Sequence, residues 1–149
     1  MLIRVADFAS DFAAIRRIRF AVFVDEQQVP AELEMDERDA ACIHLLALVG
    51  DQAIATGRID IDYAGKIGRV AVLAPYRRSG VGAALMAALH GVAEDRALPE
   101  VWCNAQLTAV PFYTRLGYQV TSEPFDEAGI AHVRMARQRP TGSRADGFV

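Results

Sequence analysis

Apolar runs at strand spacing alternate with stretches at helical spacing along the whole chain, and each pattern predicts its element. Residues 2–5 form a short β-prone run. Phe12, Ile15, Ile18 and Val22 then recur at helical intervals behind Ser10 or Asp11, either of which can cap the first turn. Arg16, Arg17 and Arg19 fall mostly on the other faces of that helix. Residues 42–49 and 52–61 read as strands joined by the turn pair Gly50-Asp51, and a second turn over 62–65 leads into a strand over 66–73. Val81, Leu85, Leu89 and Val92 mark one face of a helix over 80–97, with Pro99 just past its end. A short strand over 101–104 precedes a helix from Thr108 to Leu116, where Pro111 is tolerated in the first turn and Gly117 stops it. Residues 118–122 and 130–137 complete the pattern as a strand pair.

This order, β, α, three strands, α, β, α, β, β, describes one mixed sheet covered by helices, an α/β (mixed α+β) fold. No repeat or linker divides it, so residues 1–137 are expected to form one domain. Residues 138–149 hold Pro140, Gly142, Ser143 and Gly147 with few apolar side chains, which predicts a flexible tail.

Composition narrows the function classes. With 149 residues and 52% apolar content the chain can build a continuous core. A formal charge of -3 gives no field that gathers nucleic acid or anionic lipid, so neither partner is expected. No run approaches the roughly 18 apolar residues of a membrane span, and no basic stretch followed by an apolar run opens the chain, so a cytoplasmic protein is expected. Cys42 and Cys103 sit in apolar strand-like runs and read as buried reduced thiols. The three histidines and two cysteines have no metal-ligand spacing, so no metal is expected.

Residues 25–40 turn polar around Pro30, as a loop or broken helix, and carry seven acids: Asp25, Glu26, Glu32, Glu34, Asp36, Glu37 and Asp39. Such a segment favours a cationic acceptor or, on a different reading, an acidic docking surface for basic proteins.

The stretch over 69–84, RVAVLAPYRRSGVGAA, carries the most chemistry. A β-branched strand runs through a proline turn into a glycine-bearing helix start, where first-turn N–H groups lack partners and the helix dipole adds positive charge. Gly80 and Gly82 remove side chains where a phosphate must approach, Arg77 and Arg78 supply charge, and Ser79 a hydroxyl. Neither the Walker pattern nor the three-glycine dinucleotide fingerprint is present.

Arg77, Gly80 and Gly82 instead match Arg/Gln-x-x-Gly-x-Gly/Ala, the acetyl-CoA signature of the GNAT superfamily of N-acetyltransferases, which this segment resembles. Ala109, Tyr113, Gly117 and Tyr118 are spaced as in the later GNAT helix. The run from Arg19 to Gln27, followed by Glu34, Asp36, Asp39 and His44, resembles the ElaA-type branch, as does Phe125 to Met135, although Ala131 stands where that branch leads one to expect proline. The resemblance implies a mostly antiparallel mixed sheet flanked by helices. It also implies acetyl-CoA as cosubstrate and an amine-bearing acceptor. Backbone groups of Ala71, Val72 and Leu73 would pair with the pantetheine arm, and the loop through Arg77, Arg78, Ser79, Gly80, Val81, Gly82 and Ala83 would hold the pyrophosphate. A homodimer is compatible with the superfamily.

Tyr113 is then the general acid that protonates the departing thiolate. The base is open: many GNAT enzymes use a glutamate on the strand before the loop, and here no acid lies between Lys66 and Tyr76. Glu26, Glu34, Asp36 and His132 are the candidates, with Glu26 and His132 placed at the site. His44, inside an apolar run, reads as a hydrogen-bonded core residue. Direct transfer of the acetyl group to an amine is the expected reaction. A module that binds acyl-CoA without turnover is the alternative, since it would carry the same cradle.

Overall fold

The computed structural model describes residues 1–140. Its centre is an eight-stranded sheet formed by β1 (Leu2–Val5), β2 (Ile43–Val49), β3 (Gln52–Asp60), β4 (Lys66–Val72), β5 (Glu100–Gln106), β6 (Gln119–Val120), β7 (Phe125–Glu127) and β8 (Ile130–Gln138). The path runs β1-β2-β3-β4-β5-β8-β6, with β7 also paired to β8. Every pairing is antiparallel except β4 with β5.

Alternation along the strands sends side chains to two cores. Leu46, Ala53 and Ala71 pack under α1 (Phe12–Arg19) with Ile15, Ile18 and Val22. Leu45, Ala47, Ala55 and Ile67 face α3 (Val81–Asp95), whose Val81, Leu85, Met86, Leu89 and Ala93 are buried. On that same side, α4 (Val110–Arg115) presents Phe112 and Tyr113. Gly57 lets α3 settle closely, for a β-carbon there would meet Leu89 at 3.1 Å.

Several expectations change. The first helix does not run on as an α-helix but loosens into a π-helical segment over Phe20–Glu26. Asp11 flanks its start without capping it; the carboxylate accepts from Asp7 N–H and from Arg4. Phe12 is 40% exposed, whereas Arg19, expected on an outer face, is 1% exposed. Thr108 lies in a turn of 3-10 helix over Leu107–Ala109, and Ala109 takes the flanking position instead. The short strand β7 was not predicted; it makes a hairpin with β8 across Ala128 and Gly129. Between Asp25 and Ala40 the chain forms α2 (Ala31–Glu34), so the broken-helix reading fits.

The domain continues past residue 137. β8 includes Gln138, which donates to Glu100 at 2.6 Å, and Arg139 N–H bonds the Pro99 carbonyl at 2.8 Å. The rest of the expected tail, 141–149, lies outside the described residues. Cys103 is buried in β5, Cys42 is half-buried just before β2, and both are free thiols. Among the described residues no helix is long and apolar enough to cross a membrane, and no cluster of His, Cys, Asp or Glu has a metal-holding arrangement.

A candidate active site where two strands part

The parallel neighbours β4 and β5 pair at a single position, Lys66 opposite Trp102. Beyond it they diverge, leaving the middle of the sheet open. A bulge in β4 deepens the opening: Thr56 pairs with Ala71 and Arg58 with Gly68, so Arg69 and Val70 together oppose Gly57. Arg69 sits there in the left-handed region, at φ 52°. Its guanidinium fixes this costly conformation by bonding the Glu34 carbonyl at 3.1 Å and Asp36 at 3.2 Å.

At the upper end of the opening, Leu73 N–H donates to the Ile54 carbonyl at 2.9 Å. Strand alternation therefore turns the Ala71 and Leu73 N–H groups towards β3 and that of Val72 towards the gap. The chain then turns through Arg78 (φ 61°) and Gly80 (φ 84°) into α3. A left-handed residue followed by a right-handed one makes an anion-binding concavity, and the first-turn N–H groups of Val81, Gly82 and Ala83 lack intrahelical acceptors. A β-carbon built on Gly80 would stand in open space, and the nearest atoms to one on Gly82 would be the Phe112 ring at 3.5 Å and Val72 at 3.9 Å. The cradle is therefore open backbone. Two of its polar side chains are engaged locally: Ser79 donates to the Tyr76 carbonyl at 2.6 Å, and Arg77 donates to the Val72 carbonyl at 2.8 Å and to Glu26. Arg78 remains exposed beside it.

Below the cradle, a cavity of about 520 Å³ extends between the parted strands. Tyr113 and His132 both line it; Glu26 does not, being tied to Arg77 at the cradle rim. Burial pushes the Tyr113 phenol up, so it keeps its proton. Its ring is fixed edge-on by Phe112 and Tyr118, 5.1 and 5.3 Å away. His132 Nδ1 lies 2.7 Å from the Ile130 carbonyl. A carbonyl only accepts, so Nδ1 carries a hydrogen, and in the neutral ring the lone pair is on Nε2. That Nε2 stands 3.7 Å from Glu127 Oε2, and the ring stacks on Phe125. Across the cavity, Gln106 on β5 donates to Gln27 at 2.7 Å.

The acidic segment turns inward. Arg19 donates to Glu34 at 2.7 Å and to Asp39 at 2.7 Å, and Arg58 bonds Asp36 at 2.8 Å and Asp39 at 2.6 Å. Burial raises the Asp36 carboxyl, but the hydrogen bond and charge of Arg58, with Arg69 added, outweigh it and bring it to about 2. The same opposition, with Arg19 foremost among the attractive groups, leaves Asp39 lowered. Glu34, Asp36 and Asp39 are thus counter-ions of arginines, which takes three of the segment's seven acids out of any docking surface and leaves Asp25, Glu26, Glu32 and Glu37 exposed. His44 is a core residue as expected, with Nε2 2.8 Å from the Asp39 carbonyl and burial lowering its affinity for a proton.

Sequence reasoning missed Glu127, Asn104, Gln106 and Lys66 as cavity residues. Alternation in β5 held a signal, because Trp102, Asn104 and Gln106 interleave with buried Val101, Cys103 and Ala105. Glu127 held none, since its place depends on a hairpin that had not been predicted.

The family model described as Acetyltransferase (GNAT) domain matches residues 9–139. A Bacillus subtilis (strain 168) protein called "Uncharacterized N-acetyltransferase YjcF" is 42% identical over 122 residues, 80% of this chain and 87% of that protein. The crystal structure of Escherichia coli ElaA superposes with a TM-score of 0.84 at 28% identity, covering 93% of this chain and 100% of that one. An acyl-CoA N-acyltransferase from Pseudomonas aeruginosa superposes with a TM-score of 0.82 at 28% identity, covering 92% and 99%.

Proposed function

The chain belongs to the GNAT acetyltransferase family, and from that premise we propose that it transfers the acetyl group of acetyl-CoA directly to a primary amine seated between β4 and β5. One observation carries this reading. Where β4 and β5 part, Tyr113 and His132 line one cavity with Arg69 and Val70 of β4, and the same strand runs on into the open backbone cradle.

The thioester supplies an activated acetyl group, and the chain supplies position and proton transfer. The cradle over Arg77 to Ala83 holds the pyrophosphate, and the gap-facing Val72 backbone takes up the strand pairing that β5 no longer provides. N–H groups of β4 facing the opening polarise the thioester carbonyl. His132 Nε2 accepts the proton that the amine loses as its nitrogen bonds the carbonyl carbon, and Glu127 steadies the resulting imidazolium. As the carbon–sulfur bond breaks, Tyr113 gives its proton to sulfur and regains one through solvent. Glu26 acts by holding Arg77 beside the cradle. Both cysteines stay free, in keeping with the reducing cytoplasm we propose as its location.

A steady-state assay of CoA release tests the reading. Amines should accelerate release by the wild type, and Tyr113→Phe should lower kcat by about 100-fold with the KM for acetyl-CoA unchanged. Tight acetyl-CoA binding without amine-dependent release would instead identify a binding module.

A further inference from the structure

The cavity wall contains eight formal charges, and six of them cancel in pairs. Arg38 forms a two-pronged bond with Asp60 at 2.8 Å, Arg58 binds Asp36, and Arg69 lies against both Asp36 and Glu34. The remaining two are Lys66 and Glu127. Among the described residues Lys66 has no carboxylate within ion-pair distance; its ammonium stands 5.2 Å over the Trp102 ring. The same ring also carries a second cation, Arg134, at 3.8 Å, which has no carboxylate within ion-pair distance among the described residues. A ring face satisfies a cation only in part, so Lys66, which lines the cavity beside Trp102, carries a positive charge that no carboxylate among the described residues offsets. Glu127 is 44% exposed, and its only cation within reach among the described residues is His132, which is charged only when protonated.

Register fixes where these two charges stand. Lys66 is level with Trp102, whereas Glu127 is held two residues further along β5 by the Asn104 amide, at 3.2 Å. The offset along the strand is roughly 7 Å, which the Lys66 side chain can partly span. The negative charge lies on the side of His132 and Tyr113, and the positive charge lies on the side away from the cradle.

We infer that the acceptor is an amino carboxylate: a primary amine, received beside Glu127 and His132, joined by a short spacer to a carboxylate received by Lys66 at the cavity's other end. This rests on the transferase reading above and narrows it. A polyamine places a second cation against Lys66 and is disfavoured. An acidic residue of the wall cannot serve in place of the ligand carboxylate, because Asp36, Asp60 and Glu34 are held by their arginines.

The test uses the purified full chain with acetyl-CoA and matched acceptors: amino acids of short spacer length, and the carboxamide of each. An amide leaves its amine less basic and therefore more available, so intrinsic reactivity favours the amide. The inference predicts the reverse order, with kcat/KM at least about 10-fold higher for the acids. Lys66→Gln should remove that preference through KM while leaving rates with the amides unchanged, and Lys66→Arg should retain it. Equal rates for acids and amides, or a loss in Lys66→Gln that is the same for both, would overturn the inference while leaving the transferase intact. Absence of amine-dependent CoA release from every acceptor would have a different signature, removing the transferase reading and this assignment together.

Discussion

The cradle, at the end of β4, and the charged wall of the cavity are made of different materials. The cradle is backbone: N–H groups at a helix start, turned outward by two left-handed residues within a few positions of each other. The wall consists of side chains brought together from distant segments, with Glu34 from α2 and Arg58 from β3 backed outside the cavity by Arg19 from α1 and by Asp39. A backbone site tolerates change in many side chains provided the turn is kept. A network of buried charges tolerates almost none, because every member removed strands another.

The largest expected effect breaks the wall and spares the cradle. Arg19→Leu leaves Glu34 and Asp39 buried without their shared cation, Glu34 having already one oxygen without a partner. Urea unfolding should show a loss of about 3–5 kcal/mol. Next, His132→Gln keeps the hairpin but removes the lone pair facing Glu127, and kcat for amine transfer should fall about 100-fold with acetyl-CoA affinity unchanged.

Acid should unfasten the wall before the cradle. The Asp36 carboxyl is depressed from 3.8 to about 2 in the fold, so its contribution is fully present above pH 3.8 and is lost as pH falls towards 2. Thermal melts across that window should decline, and Asp36→Asn should flatten part of the decline. The smallest effect belongs to the cradle rim. Glu26 and Arg77 are about 41% and 40% exposed, so Glu26→Gln should change stability by less than about 1 kcal/mol.

The same division decides what the sequence could reveal. Arg77, Gly80 and Gly82 are legible because a phosphate cradle is a local arrangement, spelled within one turn and one helix start. The strands and α3 are legible because spacing reports which face is buried. Arg19 is not: nothing near it in sequence announces that Glu34 and Asp39, 15 and 20 residues on, close around it. From sequence the acidic segment therefore favours a cationic acceptor or an acidic docking surface, and not the inward-facing counter-ions that three of its acids become. Glu127 and Lys66 are harder still, since their meaning lies in having no fixed counter-charge among the described residues, and that is visible only once every neighbouring charge has been placed.

Calorimetric titration with acetyl-CoA, wild type against Gly82→Trp, tests the central claim most directly. An indole at Gly82 puts bulk at the mouth of the cradle, where the glycine has only Phe112 and Val72 as neighbours. The account predicts saturable, micromolar binding to the wild type, lost in a variant whose circular dichroism and melting temperature match it. Equal binding by both proteins, or none by the folded wild type, would contradict it.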